Sequence, residues 1–198
     1  KLLARGIELR KTRFPTRPLD IILAENLRDA AKLVRQEISN NLSLALEFSH
    51  YIGLVETSIG KMVPVMPAEM MADDPLLVFA EPYNTLILDK QAFKNPLPRV
   101  PELAPKKNMP AWVDRKLFIH NLGHAAAAYY GYMTYPELPY MYQIMAKPEV
   151  KEVAKEAMLQ AADILRRHHP GEFTHESLLD HIDDLLHRFA NKTLGDTV

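Results

Sequence analysis

The residues that could do chemistry are concentrated between Asp114 and Ala128. Lys116, His120, Asn121 and His124 lie within nine residues of one another there. At the α-helical rotation of about 100° per residue, these four polar side chains share one arc of an otherwise apolar, alanine-rich helix. Because alanine lets neighbouring elements approach closely, we expect the arc to be at least partly buried.

Burial would make Lys116 a usable base. Loss of hydration disfavours the ammonium form and lowers the lysine pKa toward neutrality, where the amine can accept a proton from an alcohol. Asn121 offers N–H donors to the oxygen that becomes an alkoxide and then a carbonyl, and a histidine can hold the same or a neighbouring hydroxyl. The set therefore suits oxidation of a secondary alcohol, with hydride transfer to a nicotinamide.

Two other interpretations stay open on spacing alone. His120 and His124 are spaced i, i+4 as in zinc-binding helices, but the motif's glutamate and a clear third ligand are missing, and Lys116 would repel a cation. We therefore predict no metal. The residues could also form a solvated polar stripe on a non-catalytic helical interaction module, since lone His and Lys residues are usually structural.

Composition bounds the class of protein. The 198 residues carry a formal net charge of -1, which indicates one or two globular domains and argues against a nucleic-acid partner. A sequence without cysteine excludes Cys-ligated zinc, iron–sulfur clusters and thiol catalysis. No apolar run approaches the roughly 20 residues of a membrane helix, and the residues that begin this sequence do not predict a secretory h-region. We expect a soluble, cytoplasmic protein with no membrane partner.

The first part of the sequence alternates helical and strand-like patterns. Residues 1–11 are typical of the end of a helix, and Leu19–Ala24 is an apolar run typical of a buried strand. An amphipathic helix is predicted from about Leu27 to Leu46, and a second strand at Ile52–Val55. This alternation is typical of an α/β layer.

After residue 62 the sequence becomes proline-rich and then helical. Leu76–Ala80 and Thr85–Leu88 are apolar and β-prone and are predicted to form a small strand pair. Helical periodicity then covers approximately Ala111–Tyr130, Leu138–Met145, Glu149–Arg167 and His175–Phe189. We therefore predict an α/β part at 1–62 and a mostly helical part at 63–198.

No phosphate-binding loop is encoded. The seven glycines form neither G-x-G-x-x-G nor a P-loop. The sequence also starts at Lys1 inside a charged, helix-like stretch. We expect the C-terminal portion of a longer protein, inactive on its own because the cofactor loop is not in this chain.

Several motifs together resemble one enzyme family. Lys-x4-Asn-x2-His, formed by Lys116, Asn121 and His124, resembles the catalytic signature of the polyol-specific long-chain dehydrogenases, the mannitol dehydrogenase family. Further segments that resemble this family follow one another in its order: Pro18–Asn26, Val63-Pro64, Asp89–Lys94 and Arg188–Thr197. The resemblance covers nearly the whole chain.

The resemblance implies an N-terminal Rossmann domain that binds NAD and a mostly helical C-terminal domain that brings the catalytic lysine. It implies that Lys116 is the general base and that Asn121 and Asn26 polarise the reacting oxygen. It further implies that His124 binds a substrate hydroxyl and that Arg188 lies near the substrate.

Asn26 and Arg188 also have structural interpretations. Asn26 directly follows the predicted strand Leu19–Ala24, where the sites of α/β sheets collect, but asparagine is also a favoured N-cap for the helix predicted to follow. Arg188 equally suits a solvated helix end. We assign no role to the remaining histidines, which are predicted to lie at helix ends or on the surface: His168, His169, His175, His181 and His187.

One departure from the family pattern bears on the substrate. Where the family usually has Val-Asp-Arg before a proline, this chain has Ile59-Gly60-Lys61, so an acidic residue expected near the substrate is missing. Glu56 could substitute for it, or be an ordinary charge at a strand end. Candidate partners for a sugar phosphate are Lys90, Lys94, Arg188 and Lys192.

We accordingly expect a mainly α chain, with a helical C-terminal dehydrogenase domain and a small strand pair, preceded by a remnant of a Rossmann-type α/β sheet. The expected activity is metal-independent, NAD-dependent oxidation of a sugar alcohol or its phosphate, foremost mannitol 1-phosphate to fructose 6-phosphate. The alternative substrate class is a hexuronate or hydroxy acid, because a helix carrying Lys and Asn also resembles the 6-phosphogluconate and β-hydroxyacid dehydrogenases. A monomer or weak homo-oligomer is expected.

Overall fold

The computed structural model describes residues 1–43, 48–64, 66 and 68–198. The α-helices are α1 (Leu2–Arg13), α2 (Ala30–Ser39), α3 (Phe48–Tyr51), α4 (Ala68–Asp73), α5 (Met109–Arg115), α6 (Leu122–Thr134), α7 (Met141–Ile144), α8 (Pro148–His168) and α9 (His175–Phe189). The strands are β1 (Leu19–Leu23), β2 (Ile52–Ile59), β3 (Leu86–Asp89) and β4 (Leu103–Lys106). A π-helix (Lys116–Asn121) and a 3-10 turn (Lys192–Leu194) complete these elements.

Packing divides the chain into two compact units. The first comprises Lys1–Ile59 with Thr85–Val113, and the second comprises Gly60–Asn84 with Asp114–Val198. Within the described ranges, no helix combines the length and apolar character needed to cross a membrane.

The first unit contains a four-stranded mixed sheet in the order β1-β2-β3-β4. β1 and β2 are parallel, with Leu19 opposite Ile52, and such a pair requires a crossover connection, which contains α2. β3 is antiparallel to β2 and parallel to β4. The predicted strands at Leu19–Ala24 and Ile52–Val55 are confirmed, and β2 extends further, to Ile59. The buried apolar core of this unit includes Ala4, Ile7, Leu23, Ala30, Ile38, Ile52 and Leu54.

Helix α2 is shorter than the predicted helix of residues 27–46. It begins at Ala30, after Asp29 in a left-handed backbone conformation with φ of 57°, and ends at Ser39. The last part of the prediction, 44–46, lies outside the described residues. The N-cap interpretation of Asn26 is therefore wrong, because Asp29 occupies the N-cap position.

The predicted pairing of Leu76–Ala80 with Thr85–Leu88 is also wrong. β3, which covers most of the second segment, pairs with β2 along one edge and β4 along the other. Neither edge remains for another strand, and Leu76–Ala80 is mostly exposed instead. The sheet is thus built by partners that are distant in sequence.

The second unit is mainly helical, as predicted. The sequence patterns place α8 and α9 within one residue of their observed ends. Pro148 occupies the first turn of α8, where its missing N–H costs nothing. The Thr174 side chain accepts a hydrogen bond from the N–H of Ser177 and caps α9. Buried residues of this unit include Ile119, Ala127, Met158, Leu165, Ile182, Leu185 and Phe189.

Two helical predictions need correction. The helix expected over 111–130 is observed as α5, the π-helix and α6 in succession, from Met109 to Thr134. The helix expected over 138–145 is reduced to α7, because Pro139 and Tyr140 pair with the end of the chain: the carbonyl of Pro139 accepts from the N–H of Val198, and Tyr140 forms an antiparallel bridge with Thr197.

Candidate active site

A π-helix brings Lys116 and Asn121 together. In this helix type each backbone N–H bonds to the carbonyl five residues earlier, so residues i and i+5 become neighbours. Lys116 Nζ lies 3.1 Å from Asn121 Oδ1 and donates a hydrogen bond to it. An uninterrupted α-helix would place these side chains about 140° apart around its axis. Lys116 and Asn121 were grouped from their spacing, but the π-helix that joins them was not predicted.

Lys116 is half-buried, and burial lowers its pKa below the ordinary lysine value because the charged form loses hydration. The neutral amine keeps N–H groups that can donate to Asn121 and also a lone pair that can accept a proton. Since Asn121 Oδ1 accepts from Lys116, the amide nitrogen lies on the other branch of that side chain. The pair therefore offers one proton acceptor and one hydrogen-bond donor.

His120 lies in the same π-helix and is buried, with 8% of its surface exposed. Burial, followed by the positive charges of Lys116 and Arg188 and smaller effects of His124 and Arg115, lowers its pKa to about 3. The ring meets that of Phe189 edge-on, with 5.6 Å between centroids. His120 is thus a neutral imidazole.

His124 occupies the next turn, on α6. Its ring packs against Phe189 at 4.9 Å between centroids, and its Nε2 lies 3.8 Å from Asp196 Oδ2. Burial lowers the pKa of His124, and the Asp196 carboxylate opposes that effect. Nε2 is shielded from solvent and makes no hydrogen bond to the described part of the chain.

Asp196 is held by its backbone. Its carbonyl accepts a hydrogen bond from the N–H of Met141 at 2.9 Å, and the N–H of Val198 donates to the carbonyl of Pro139 at 2.9 Å. Gly195, with φ of +63°, ends the preceding 3-10 turn in a conformation that favours glycine. The end of the chain is therefore fixed beside α7, with the Asp196 side chain facing His124.

Arg188 is the buried centre of a charged network in the second unit. Its Nε donates to Glu81 Oε2 at 2.9 Å and its Nη2 to Glu81 Oε1, while its Nη1 donates to Asp184 Oδ2 at 3.2 Å. Nη2 also donates to the carbonyl of Gly60. Burial acts to lower the pKa of Arg188, but the hydrogen bonds and charges of Glu81 and Asp184 outweigh it and raise the pKa.

Glu81 is a site residue that the sequence analysis missed. It is 6% exposed, and a carboxylate is rarely buried without a partner. The signal in the sequence is faint: Glu81 ends the apolar run Leu76–Ala80 that we interpreted as a strand. Its partner Arg188 lies 107 residues further along the chain, so no local pattern could reveal the pair.

A cavity of about 590 Å³ lies beside this ion pair. Arg188, Tyr83 and Lys192 are among its lining residues, together with Glu81 and Asp184. The Arg188 guanidinium lies over the Tyr83 ring at 4.3 Å from the centroid. Two carboxylates and two cations line the cavity, so its charge is close to balanced.

The remaining predicted site residues lie in the first unit. Asn26 follows β1 and is exposed, as are the phosphate candidates Lys90 and Lys94. The Glu56 carboxylate accepts a hydrogen bond from the N–H of Ala31 at 2.8 Å. It thereby satisfies a donor at the start of α2, which gives Glu56 a structural role.

Two of the histidines without an assigned role are not surface residues. His181 is surrounded by Arg115, His120 and Arg188, and burial together with those groups lowers its pKa to about 2. His169 Nε2 lies 2.9 Å from the buried carboxylate of Asp114. In the described part of the chain, Asp114, His168 and His169 are the residues close enough to hold a metal ion jointly. His120 and His124 do not belong to that cluster.

The arrangement has a definite chemical capacity. Within the second unit, Lys116 offers a proton acceptor, Asn121 an N–H donor, and His120 and His124 two imidazoles whose pKa burial lowers. Such a set can remove a proton from an alcohol and hold the oxygen that remains. Fold and site together define a chain of two units, in which a mainly helical unit carries the Lys116–Asn121 pair and a smaller unit contains an α/β sheet.

Comparison with protein families makes this assignment specific. The model described as the mannitol dehydrogenase Rossmann domain matches residues 1–102, and the model described as the mannitol dehydrogenase C-terminal domain matches residues 108–198. The chain belongs to the mannitol dehydrogenase family. The family resemblance that the motifs indicated is confirmed.

Two solved structures share the fold. D-sorbitol dehydrogenase in its substrate-free form superposes with a TM-score of 0.74 at 18% identity, over 98% of this chain and 42% of that one. Pseudomonas fluorescens mannitol 2-dehydrogenase, solved in a ternary complex with NAD and D-mannitol, has a TM-score of 0.67 at 16% identity, over 98% of this chain and 41% of that one. The chain therefore spans less than half the length of either protein.

Proposed function

We propose that the protein carrying this chain oxidises a secondary alcohol of a sugar alcohol or sugar-alcohol phosphate, with Lys116 as general base and NAD as hydride acceptor. The observation that carries the proposal is the Lys116–Asn121 hydrogen bond of 3.1 Å inside a π-helix. π-helical turns are often found at functional sites, and this one holds a partly desolvated amine.

The reaction breaks two bonds of the substrate, the O–H bond of the alcohol and the C–H bond of the carbinol carbon. The alcohol proton goes to the Lys116 amine, and the hydrogen on the carbinol carbon leaves with its electron pair as hydride. The Asn121 amide N–H donates to the oxygen as negative charge develops on it and as it becomes a carbonyl. His124 holds a neighbouring hydroxyl. Asn26 is proposed, on the family resemblance, as a second donor to the reacting oxygen.

We infer that the described residues do not form a complete dinucleotide site by themselves. The sequence has no G-x-G-x-x-G turn, and the start of α2, where such a helix could receive a phosphate, already has its Ala31 N–H bonded to Glu56. The nicotinamide, when bound, supplies the hydride acceptor. The steps assigned to this chain are therefore proton removal and substrate orientation.

The proposal also concerns the identity of the substrate. Mannitol 1-phosphate is proposed first, because the residues around Lys116 resemble those of mannitol-1-phosphate 5-dehydrogenase. Within the cavity beside Arg188, Lys192 is exposed and could meet a phosphate. Arg188 is already bonded to Glu81 and Asp184, so its role as a substrate ligand stays a prediction. A hexuronate or hydroxy acid is the alternative.

A non-catalytic interaction module would have an exposed Lys116 that titrates normally. The half-buried position, the bond to Asn121 and the lowered pKa of Lys116 favour the catalytic proposal instead. We also propose that residues 1–62 are a remnant of a Rossmann domain, to whose sheet β3 and β4 add two strands, and we propose a cytoplasmic location and a monomer or weak homo-oligomer.

The test is NADH formation by the protein that carries this chain, with mannitol 1-phosphate, mannitol, sorbitol and a hexuronate as substrates. We expect oxidation of a polyol or its phosphate, and loss of that activity in Lys116→Ala. Lys155→Ala is the matched control, because this partly exposed lysine of α8 pairs with the exposed Asp183. Undiminished activity in Lys116→Ala would refute the assignment of the base.

A further inference from the structure

The end of the chain brings a carboxylate to a histidine that the proposed function places at the substrate. Asp196 is fixed through one backbone hydrogen bond, from the N–H of Met141 to its carbonyl, and through the adjacent bridge between Thr197 and Tyr140. Its side chain is 70% buried and lies 3.8 Å from His124 Nε2. This separation exceeds that of a hydrogen bond, so the carboxylate acts on Nε2 through its charge.

We propose that Asp196 is a positioning residue that holds His124 as the tautomer with its proton on Nε2, so that Nδ1 accepts a hydrogen bond from a substrate hydroxyl. This inference rests on the proposed function for the role of His124. The state of the ring itself can be measured whether or not that function is correct.

The chemistry around Nε2 favours a proton on this nitrogen. An ionised carboxylate only accepts hydrogen bonds, and Asp196 Oδ2 faces Nε2. A proton on Nε2 is attracted to this carboxylate, whereas a lone pair on Nε2 would face negative charge. The tautomer of a histidine is commonly set by the partner of its other nitrogen.

The part of the His124 side chain that a substrate can reach does not include Nε2. Nε2 is shielded from solvent, yet 37% of the His124 side chain is exposed. Phe189 packs against the ring at 4.9 Å between centroids and limits its motion. The exposed surface therefore belongs to other atoms of the side chain, and Nδ1 is the ring nitrogen that remains to bond to a ligand.

The tautomer of His124 determines which substrate group its Nδ1 can bind. With the proton on Nε2, Nδ1 carries a lone pair and accepts from a hydroxyl O–H, but it has no hydrogen to donate to a carboxylate. A polyol hydroxyl satisfies this position, whereas an acid group placed there would meet a lone pair. Asp196 thereby favours a hydroxyl over an acid group at this position.

The experiment is ¹⁵N NMR of the imidazole groups in the protein that carries this chain, with His124 assigned by substitution. We expect the Nε2–H tautomer in the wild type. In Asp196→Asn the neutral amide presents both a donor and an acceptor, so we expect a mixture with the Nδ1–H form. Asp163→Asn, an exposed carboxylate on α8, should leave the spectrum of His124 unchanged. An Nδ1–H wild type, or the same tautomer in Asp196→Asn, overturns the proposal.

Kinetics supply the second readout. We expect Asp196→Asn to lose roughly 10-fold or more in kcat/KM for the polyol, on the scale of residues that orient a functional histidine, with Asp163→Asn unaffected. The loss should be smaller for a substrate that lacks the hydroxyl bound by His124. An equal loss for both substrates overturns the positioning role. A wild type that oxidises no polyol would refute the proposed function, and the tautomer measurement would still decide the role of Asp196.

Discussion

Lys116 Nζ donates a hydrogen bond to Asn121 Oδ1 over 3.1 Å, between residues five apart in sequence. This relationship exists because the backbone from Lys116 to Asn121 is π-helical, and it couples the protonation of the amine to the polarity of one neighbouring side chain. The amide accepts from Lys116 without neutralising its charge. A carboxylate at the same place would form an ion pair with the ammonium and abolish the advantage of burial.

Asn121→Asp tests that coupling. The substitution keeps the shape of the side chain, but its negative charge raises the pKa of Lys116, so less of the lysine is neutral at a given pH. We expect the rising limb of kcat/KM to move to higher pH. At pH values on the rising limb of the wild type, kcat/KM of the variant should be lower by roughly 100-fold or more, because the amide donor is lost as well. Asn40→Asp, at an exposed helix end, is the control. A pH profile that does not move would contradict the coupling.

Glu81→Gln tests the buried ion pair with Arg188. The change keeps the size of the side chain but leaves a buried guanidinium without its main counter-charge, and loss of one partner of such a pair costs about 3–5 kcal/mol. We expect the melting temperature to fall by roughly 10 °C in thermal denaturation. Asp184→Asn removes the other carboxylate, whose side chain is 48% exposed, and should cost about 1 kcal/mol or less. Equal losses in the two variants would be evidence against a buried pair.

Two glycines of α6 differ in how easily the structure could accommodate a side chain at their positions. A Cβ on Gly131 would lie 2.9 Å from Ile144 Cβ and 2.5 Å from its Cδ1, whereas one on Gly123 would lie 2.3 Å from the Sδ of Met158. Methionine can change rotamer, but an isoleucine Cβ moves only with its backbone. We expect Gly131→Ala to cost about 2–3 kcal/mol of unfolding free energy and Gly123→Ala about 1 kcal/mol.

The matched control for these glycines is Gly6→Ala in α1. A Cβ there would meet no atom within 4 Å, and alanine favours the helix by about 0.5–1 kcal/mol. Denaturant unfolding of the three variants should therefore rank Gly131→Ala as least stable and Gly6→Ala as most stable. The reverse order for the two α6 variants would show that the packing of Ile144 is looser than described.

The sequence predicts this fold best where periodicity is regular. α8 and α9 are amphipathic and appear within one residue of their expected ends. Predictions failed where distant partners decide the outcome: Leu76–Ala80 has strand composition, but both edges of β3 are already paired. Glu81 was missed for the same reason, because Arg188 is its partner across the second unit.

The candidate site was predictable in its residues more than in its geometry. An α-helical projection groups Lys116 with the two histidines. The contact between Lys116 and Asn121 depends on a π-helix, which the periodicity of the sequence does not predict. The role of Asp196 depends on a backbone bridge at the end of the chain, which composition does not encode. The proposed roles of Asn26 and Arg188 stay predictions.

The most direct test of the central claim is the pH dependence of kcat/KM for polyol oxidation in the wild type, Lys116→Met and Lys116→Arg. Burial lowers the pKa of Lys116, so the wild-type rate should rise with pH and level off below the range in which an exposed lysine titrates. Methionine has no lone pair basic enough to accept the proton, and arginine stays protonated. Both variants should lose roughly 100-fold to 10,000-fold in kcat/KM and the rising limb with it. Retention of the wild-type rate and profile in Lys116→Met would contradict the account.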